Sequence, residues 1–152
     1  MTDLVFRTAT RDDLPAMIAM IADDQLGRAR DDASLPFDQC YIDAFAAIER
    51  DPNQMLVVVE QAGMAIGCFQ ITFIPGISRR GAWRGQIESV RVARAKRGAG
   101  IGTAMFEWAI AECRRRDCDL VQLYTDKSRS DAHRFYERLG FKASHEGMKL
   151  AL

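Results

Sequence analysis

Arg97-Gly98-Ala99-Gly100-Ile101-Gly102 sets glycines at every second position directly behind a cationic run of Arg91, Arg94, Lys96 and Arg97. Upstream, Val90 and Val92 alternate with polar residues as a strand does. Downstream, Ile101, Met105, Trp108, Ala109 and Cys113 recur at helical spacing. The stretch therefore reads as strand, basic loop, helix start. A helix start leaves its first N–H groups unpaired and carries partial positive charge. Glycines without a Cβ let an anion approach those groups closely. The chemistry these residues offer is capture of a phosphate-bearing ligand. Two common phosphate-binding patterns do not fit. The nucleotide-triphosphate loop needs Lys-Ser/Thr after its last glycine, and here Thr103 follows Gly102 without a lysine. The dinucleotide fingerprint is spaced G-x-G-x-x-G, whereas the spacing here is G-x-G-x-G.

The elements that must hold this turn can be read in order. Leu4 to Arg7 reads as a first strand. An N-cap at Asp12 places Pro15 in the first turn of a helix carrying Leu14, Met17, Ile18 and Ile21. Thr10 and Asp13 also have capping-box spacing. A charged loop from Gly27 to Asp32 leads to a second helix over Phe37–Arg50, with Tyr41, Phe45 and Ile48 inward. Three strands follow, Met55–Glu60, Met64–Ile74 and Trp83–Val92, joined by short connections as an antiparallel meander. In the last of these, Trp83, Gly85 and Ile87 share one parity and Val90 and Val92 the other. Either both faces are buried, or a bulge near Glu88-Ser89 switches the register and splays the strand from its neighbour. The glycine-turn helix follows, with Glu112 at the solvent edge of its stripe. Then come a strand over Leu120–Tyr124 in parallel crossover, a helix capped by Ser130 and closed by Gly140, and a last strand in which Met148, Leu150 and Leu152 alternate.

The totals bound the rest. A chain of 152 residues suits one domain over 1–152. Its 21 basic and 21 acidic residues cancel, which argues against general nucleic-acid binding. Cys40, Cys68, Cys113 and Cys118 form no C-x-x-C pair and no zinc-ligand spacing, so reduced, mostly buried thiols in a cytoplasmic protein without a metal are expected. No apolar run reaches membrane-spanning length.

The order of elements and two motifs resemble the GNAT superfamily of acetyl-CoA-dependent N-acetyltransferases. Arg97-Gly98-Ala99-Gly100-Ile101-Gly102 is similar to its Arg/Gln-x-x-Gly-x-Gly/Ala pattern. Ala132-His133-Arg134-Phe135-Tyr136-Glu137-Arg138-Leu139-Gly140-Phe141 resembles its closing A-x-x-F-Y-x-x-L-G-F motif. The resemblance implies a mixed, mostly antiparallel α/β sheet flanked by helices, in the order strand, two helices, three strands, helix, strand, helix, strand, with a splayed fourth strand. It implies acetyl-CoA as cosubstrate. The backbone of Val90-Arg91-Val92 would pair with the pantetheine arm, and N–H groups from Arg97 through Gly98, Ala99, Gly100, Ile101 and Gly102 to Thr103 would hold the pyrophosphate. It makes Tyr136 the general acid for the departing thiolate. Glu88 is the candidate base for the attacking amine, with Asp126 and His133 in reserve. One position departs from the family: Arg129 stands where many members carry an asparagine, so that cofactor contact is in doubt, and Lys127 and Arg129 are placed near the nucleotide phosphates instead.

The acceptor is expected to be a small-molecule primary amine. A protein or peptide amine, and a non-catalytic acyl-CoA sensor, are the alternatives. Convergence of Arg28, Arg30, Arg79, Arg80 and Arg84 would favour an acceptor with a carboxylate or phosphate. A homodimer is expected from the frequency of two-fold pairs among small enzymes, with the last strand as a pairing edge.

Overall fold

The computed structural model describes residues 3–24 and 26–152. Its strands are β1 (Leu4–Thr8), β2 (Gln54–Gln61), β3 (Met64–Ile74), β4 (Arg84–Val92) and β5 (Leu120–Leu123). They form one sheet in sequence order, antiparallel from β1 to β4 and parallel between β4 and β5. The parallel step requires a crossover, supplied by helix α3 in the numbering α1 (Leu14–Ala22), α2 (Gln39–Arg50), α3 (Ile101–Arg115) and α4 (Ser130–Arg138). Strand alternation divides the apolar residues between two faces. Val57, Val59, Ile71 and Ile87 pack with Met105 and Phe106 of α3, whereas Val58 and Cys68 pack with Met17 and Ile18 of α1 and Phe45 of α2. Gly85 lets α3 lie close on β4, because a Cβ there would collide with Cys113 Sγ.

At the start of α1 the capping-box residues are used, on a one-turn 3-10 segment (Arg11–Asp13) that precedes the helix, rather than a cap at Asp12. The Asp13 carboxylate accepts from Thr10 N–H at 2.7 Å and Thr10 Oγ1 at 3.0 Å. Arg7 forks onto the same carboxylate at 2.7 and 2.8 Å and reaches Glu60 of β2 at 2.5 Å. The Arg7 hydrogen bonds hold the Asp13 carboxyl down at about 2. Its folded value lies below its unfolded one. The stabilisation is therefore complete above the ordinary carboxyl range and is lost as pH falls through about 2. We expect Asp13→Asn to cost about 1–2 kcal/mol at neutral pH, allowing for solvent around Arg7, and almost nothing near pH 2. Thermal melts of both proteins across that range measure the difference.

Three further expectations change on the structure. Glu112 is buried at 7% exposure rather than at a solvent edge. Arg115 at 2.6 Å and Arg116 at 3.5 Å neutralise it, and Arg116 lies over the Phe73 ring at 4.2 Å. Ser130 is the first helical residue of α4 and not its cap; Arg129 holds the cap position without a side-chain bond. The last strand does not form. Residues 141–152 carry no regular structure, and Met148 and Leu150 are 96% and 86% exposed. Alternation records which residues share a side, but a strand also needs a neighbour to bond and a face to bury. Among the described residues the outer edge of β5 has no strand partner, so the pairing edge expected of a C-terminal strand is absent. Of the cysteines, Cys68 and Cys113 are buried, Cys118 half-buried and Cys40 exposed, and all are free thiols.

Candidate active site

The site begins with a register change in β4. Ile87 pairs with Ile71 and Glu88 with Gln70, but Arg91 pairs with Cys68 and Val92 with Gly67. One extra residue of β4 is therefore accommodated between Glu88 and Arg91, and Ser89 takes a left-handed φ of 53°. The bulge returns Val90 and Val92 to the α3 face that Gly85 and Ile87 also share, where both valines pack against the core. This resolves the parity conflict in favour of the bulge. It also opens the sheet. The β4–β5 pairing stops at Ile87 and Leu123, and the two chains part beyond that point.

The glycine turn lies at the end of the parted strand. Gly98 and Gly100 have φ of 81° and 77°, which favour glycine, and a Cβ at either would meet open space. Gly100 caps α3, and the helical ladder opens with Ala104 N–H donating to the Gly100 carbonyl at 3.1 Å. The N–H groups of Ile101, Gly102 and Thr103 precede that first bond and have no i−4 partner. A cleft of about 300 Å³ lies against them, walled by Val92, Lys96, Arg97, Gly98, Gly100 and Phe135 among others. Ala99 lies outside that wall, and the Ile101 side chain is buried in the core. Arg97 is committed elsewhere in part. Its N–H donates to Arg94 at 3.3 Å, its Nε to the Val92 carbonyl at 3.0 Å, and its guanidinium pairs with Asp23 at 3.2 Å.

Tyr136 stands on the same face, edge-on to Phe106, Phe135 and Phe141 at ring separations of 5.4 to 6.2 Å. Burial pushes its hydroxyl above the ordinary phenol value, and the charges of Arg129 and Arg91 pull it partly back. The phenol is neutral at physiological pH and holds a proton to give. Glu88 points to the opposite face, since its neighbour Ile87 faces α3 and successive residues alternate. It is exposed, and among the described residues it makes no ion pair. The reserve candidates are occupied. Asp126 accepts from Ser128 Oγ at 2.6 Å and Ser128 N–H at 2.9 Å, which holds its carboxyl below the usual range and makes it a weaker base. His133 Nε2 donates to the Asp126 carbonyl at 3.1 Å.

Sequence reading assigned no role to Asp23 and Asp24, which follow α1. Asp23 gathers Arg94 at 2.9 Å, Arg97 at 3.2 Å and Arg28 at 3.7 Å. Its carboxyl is lowered, chiefly by the Arg94 hydrogen bond. Asp24 pairs with Arg91 at 3.5 Å and Arg129 at 3.9 Å, and so ties β4 to the segment after β5 across the opening. The signal in the sequence was only an acidic pair ending a helix, a common surface feature. Arg129 is thus directed to Asp24, and Lys127 to Glu146 at 3.8 Å, rather than to the phosphate cleft. The loop arginines do not converge either. Arg28 is on Asp23, Arg30 bonds the Leu26 carbonyl, and Arg79, Arg80 and Arg84 belong to the β3–β4 hairpin at the far end of β4 from the opening. Two polar atoms at the opening are buried without a hydrogen-bond partner: Arg91 Nε and Thr125 Oγ1. They lie on the two segments that part, β4 and the chain after β5.

The family model of the acetyltransferase (GNAT) family matches residues 20–141. The chain belongs to the GNAT family. It is an acyltransferase, in a family that uses acetyl-CoA. This GNAT protein is 35% identical over 107 residues to an aminoalkylphosphonate N-acetyltransferase of Salmonella typhimurium, covering 70% of this chain and 69% of that one. It is 34% identical over 93 residues to a glucosamine 6-phosphate N-acetyltransferase of Trypanosoma brucei brucei, covering 61% of each. The crystal structure of a transcriptional regulator from Bacillus halodurans C-125 superposes with a TM-score of 0.95 at 46% identity, covering 99% of this chain and 100% of that one. Among the described residues no helix is long and apolar enough to cross a membrane.

Proposed function

We propose that this GNAT protein transfers the acetyl group of acetyl-CoA to the primary amine of a small molecule by direct attack in a ternary complex. The observation that carries this reading is the bulge at Ser89, which opens the sheet between a candidate acid on one face and a candidate base on the other. In the site so formed, the N–H groups of Ile101, Gly102 and Thr103 hold the pyrophosphate, and the parted backbone at Val90 and Val92 takes the pantetheine arm. The amine nitrogen attacks the thioester carbonyl, so a C–N bond forms as the C–S bond breaks. Glu88 accepts the proton leaving nitrogen, and Tyr136 gives one to the departing sulfur. The products are an N-acetylated amine and the free CoA thiol. Two of the curated relatives are named for small phosphonate- or phosphate-bearing amines, which supports a small-molecule acceptor over a protein one.

Thiol release from acetyl-CoA across a panel of amines tests the reading. Binding of acetyl-CoA without thiol release on a broad panel would favour the sensor alternative, which the likeness to a transcriptional regulator keeps in view. The assignment of Glu88 has its own test. A lysine-like amine, of pKa about 10.4, is almost wholly ammonium at neutral pH. Glu88→Gln should therefore lower kcat/KM at pH 7 by about 10²-fold, with the deficit shrinking as pH rises and the amine loses its own proton. A constant deficit at every pH would assign Glu88 a positioning part instead.

A further inference from the structure

On the face opposite the glycine turn, an apolar cavity of about 120 Å³ lies between α1, α2 and the sheet. Met17, Ile18, Phe45 and Ile48 are among its walls, and it opens to solvent. Its polar lining comes from Gln70 and Ser89 on the sheet and Tyr41 on α2, and Glu88 is the cross-strand partner of that same Gln70. The cavity therefore reaches the β4 bulge, next to the point where β4 and β5 part. Among the described residues no lysine or arginine lines it. Its shape matches a binding site for a compact apolar group, with a few polar atoms fixing one end. Its size is close to that of dry apolar cavities of about 150 Å³ that take up benzene.

We propose that this cavity receives the non-reacting body of the acceptor, and that the acceptor is a primary amine bearing a compact hydrocarbon group, a single ring or a short chain, rather than a phosphate or phosphonate. This rests on the acetyltransferase reading above. The hydrocarbon group occupies the space under α1 and α2, and the nitrogen lies at the Gln70–Ser89 end beside Glu88. A phosphorylated amine would place a dianion against aliphatic walls with no cation to pair it, which is strongly unfavourable. The arginines that would pair it are held by Asp23 and Asp24 outside this cavity.

The test is thiol release from acetyl-CoA with n-propylamine through n-octylamine, benzylamine and phenethylamine, set against 1-aminoethylphosphonate and glucosamine 6-phosphate. We expect kcat/KM to rise about four-fold per added methylene until the cavity is full and then to fall. The ring amines should exceed both phosphorus-bearing amines by tenfold or more on the order-of-magnitude scale of pocket discrimination. Ala44, which lines the cavity from the exposed side of α2, offers a second arm. Ala44→Phe should raise KM for the ring amines by about tenfold, the scale set by losing a hydrophobic pocket contact, and leave the Kd of acetyl-CoA unchanged. Turnover of the phosphorus-bearing amines ahead of the apolar ones, or a flat chain-length series, overturns this inference and leaves the transferase reading standing. Absence of thiol release with every amine overturns both.

Discussion

Tyr136→Phe should lower kcat by about 10²-fold while leaving the affinity for acetyl-CoA nearly unchanged. The substitution removes one hydroxyl and keeps the ring that meets Phe106, Phe135 and Phe141 edge-on. Loss of stability should therefore be small. A leaving thiolate gains a proton only late in the reaction, so the missing donor acts on the transition state and not on ground-state binding. The environment suits the part. Burial raises the hydroxyl, Arg129 and Arg91 moderate the rise, and the group stays protonated where the thiol itself begins to ionise. If Tyr136 were only a packing residue, kcat would stay within a factor of about two. The measurement is single-turnover acetyl transfer, where chemistry limits the rate.

Gly102→Val should abolish measurable acetyl-CoA binding in a protein that still folds. Gly102 sits in the first turn of α3, and a Cβ there meets only Phe135 Cζ, at an ordinary 3.6 Å. The scaffold therefore tolerates the new side chain. The cleft does not, because the added methyls stand over the N–H groups that the pyrophosphate must reach. A loss of about 10²-fold or more in affinity corresponds to losing several charge-assisted hydrogen bonds. Calorimetry on the folded variant decides it, and unchanged affinity would remove the glycine turn from the cofactor site.

Much of this architecture was legible in the sequence because its signals are local. The helical stripe from Ile101 to Cys113 and the tract Met64–Ile74 read directly as α3 and β3. The parity conflict of Gly85 and Ile87 with Val90 and Val92 was legible for the same reason, but it left two readings, both faces buried or a bulge near Glu88-Ser89, and the pairing with β3 decides for the bulge. What was not legible depends on tertiary contact. Asp23 and Asp24 look like ordinary surface charge until β4, the turn after it and the segment after β5 bring Arg91, Arg94, Arg97 and Arg129 to them across the fold. Glu112 lies at the border of its helical stripe and pairs with Arg115 and Arg116 one turn along the same helix, but the stripe alone does not decide that it is buried. The alternation of Met148, Leu150 and Leu152 was real as a pattern, but these residues form no strand and stay exposed. The roles of Glu88 and Tyr136 rest on motif position and placement together, since neither residue type is distinctive by itself.

The bulge at Ser89 has a consequence for how this protein can change. Deleting Ser89 would restore a regular strand while keeping Val90 and Val92 on the α3 face, because the deletion removes the same single residue that the register gains. It would also relieve a non-glycine residue of a left-handed φ of 53°. The shortened chain should melt no lower than its parent. Arg91 and Val92 would keep their partners Cys68 and Gly67, so the glycine turn would stay where it is, yet β4 would be free to continue along β5 and close the opening. Acetyl transfer should vanish with the fold intact. Stability and activity thus part company at one codon, and an insertion of that size would turn an inert sheet into one that holds two ligands against each other.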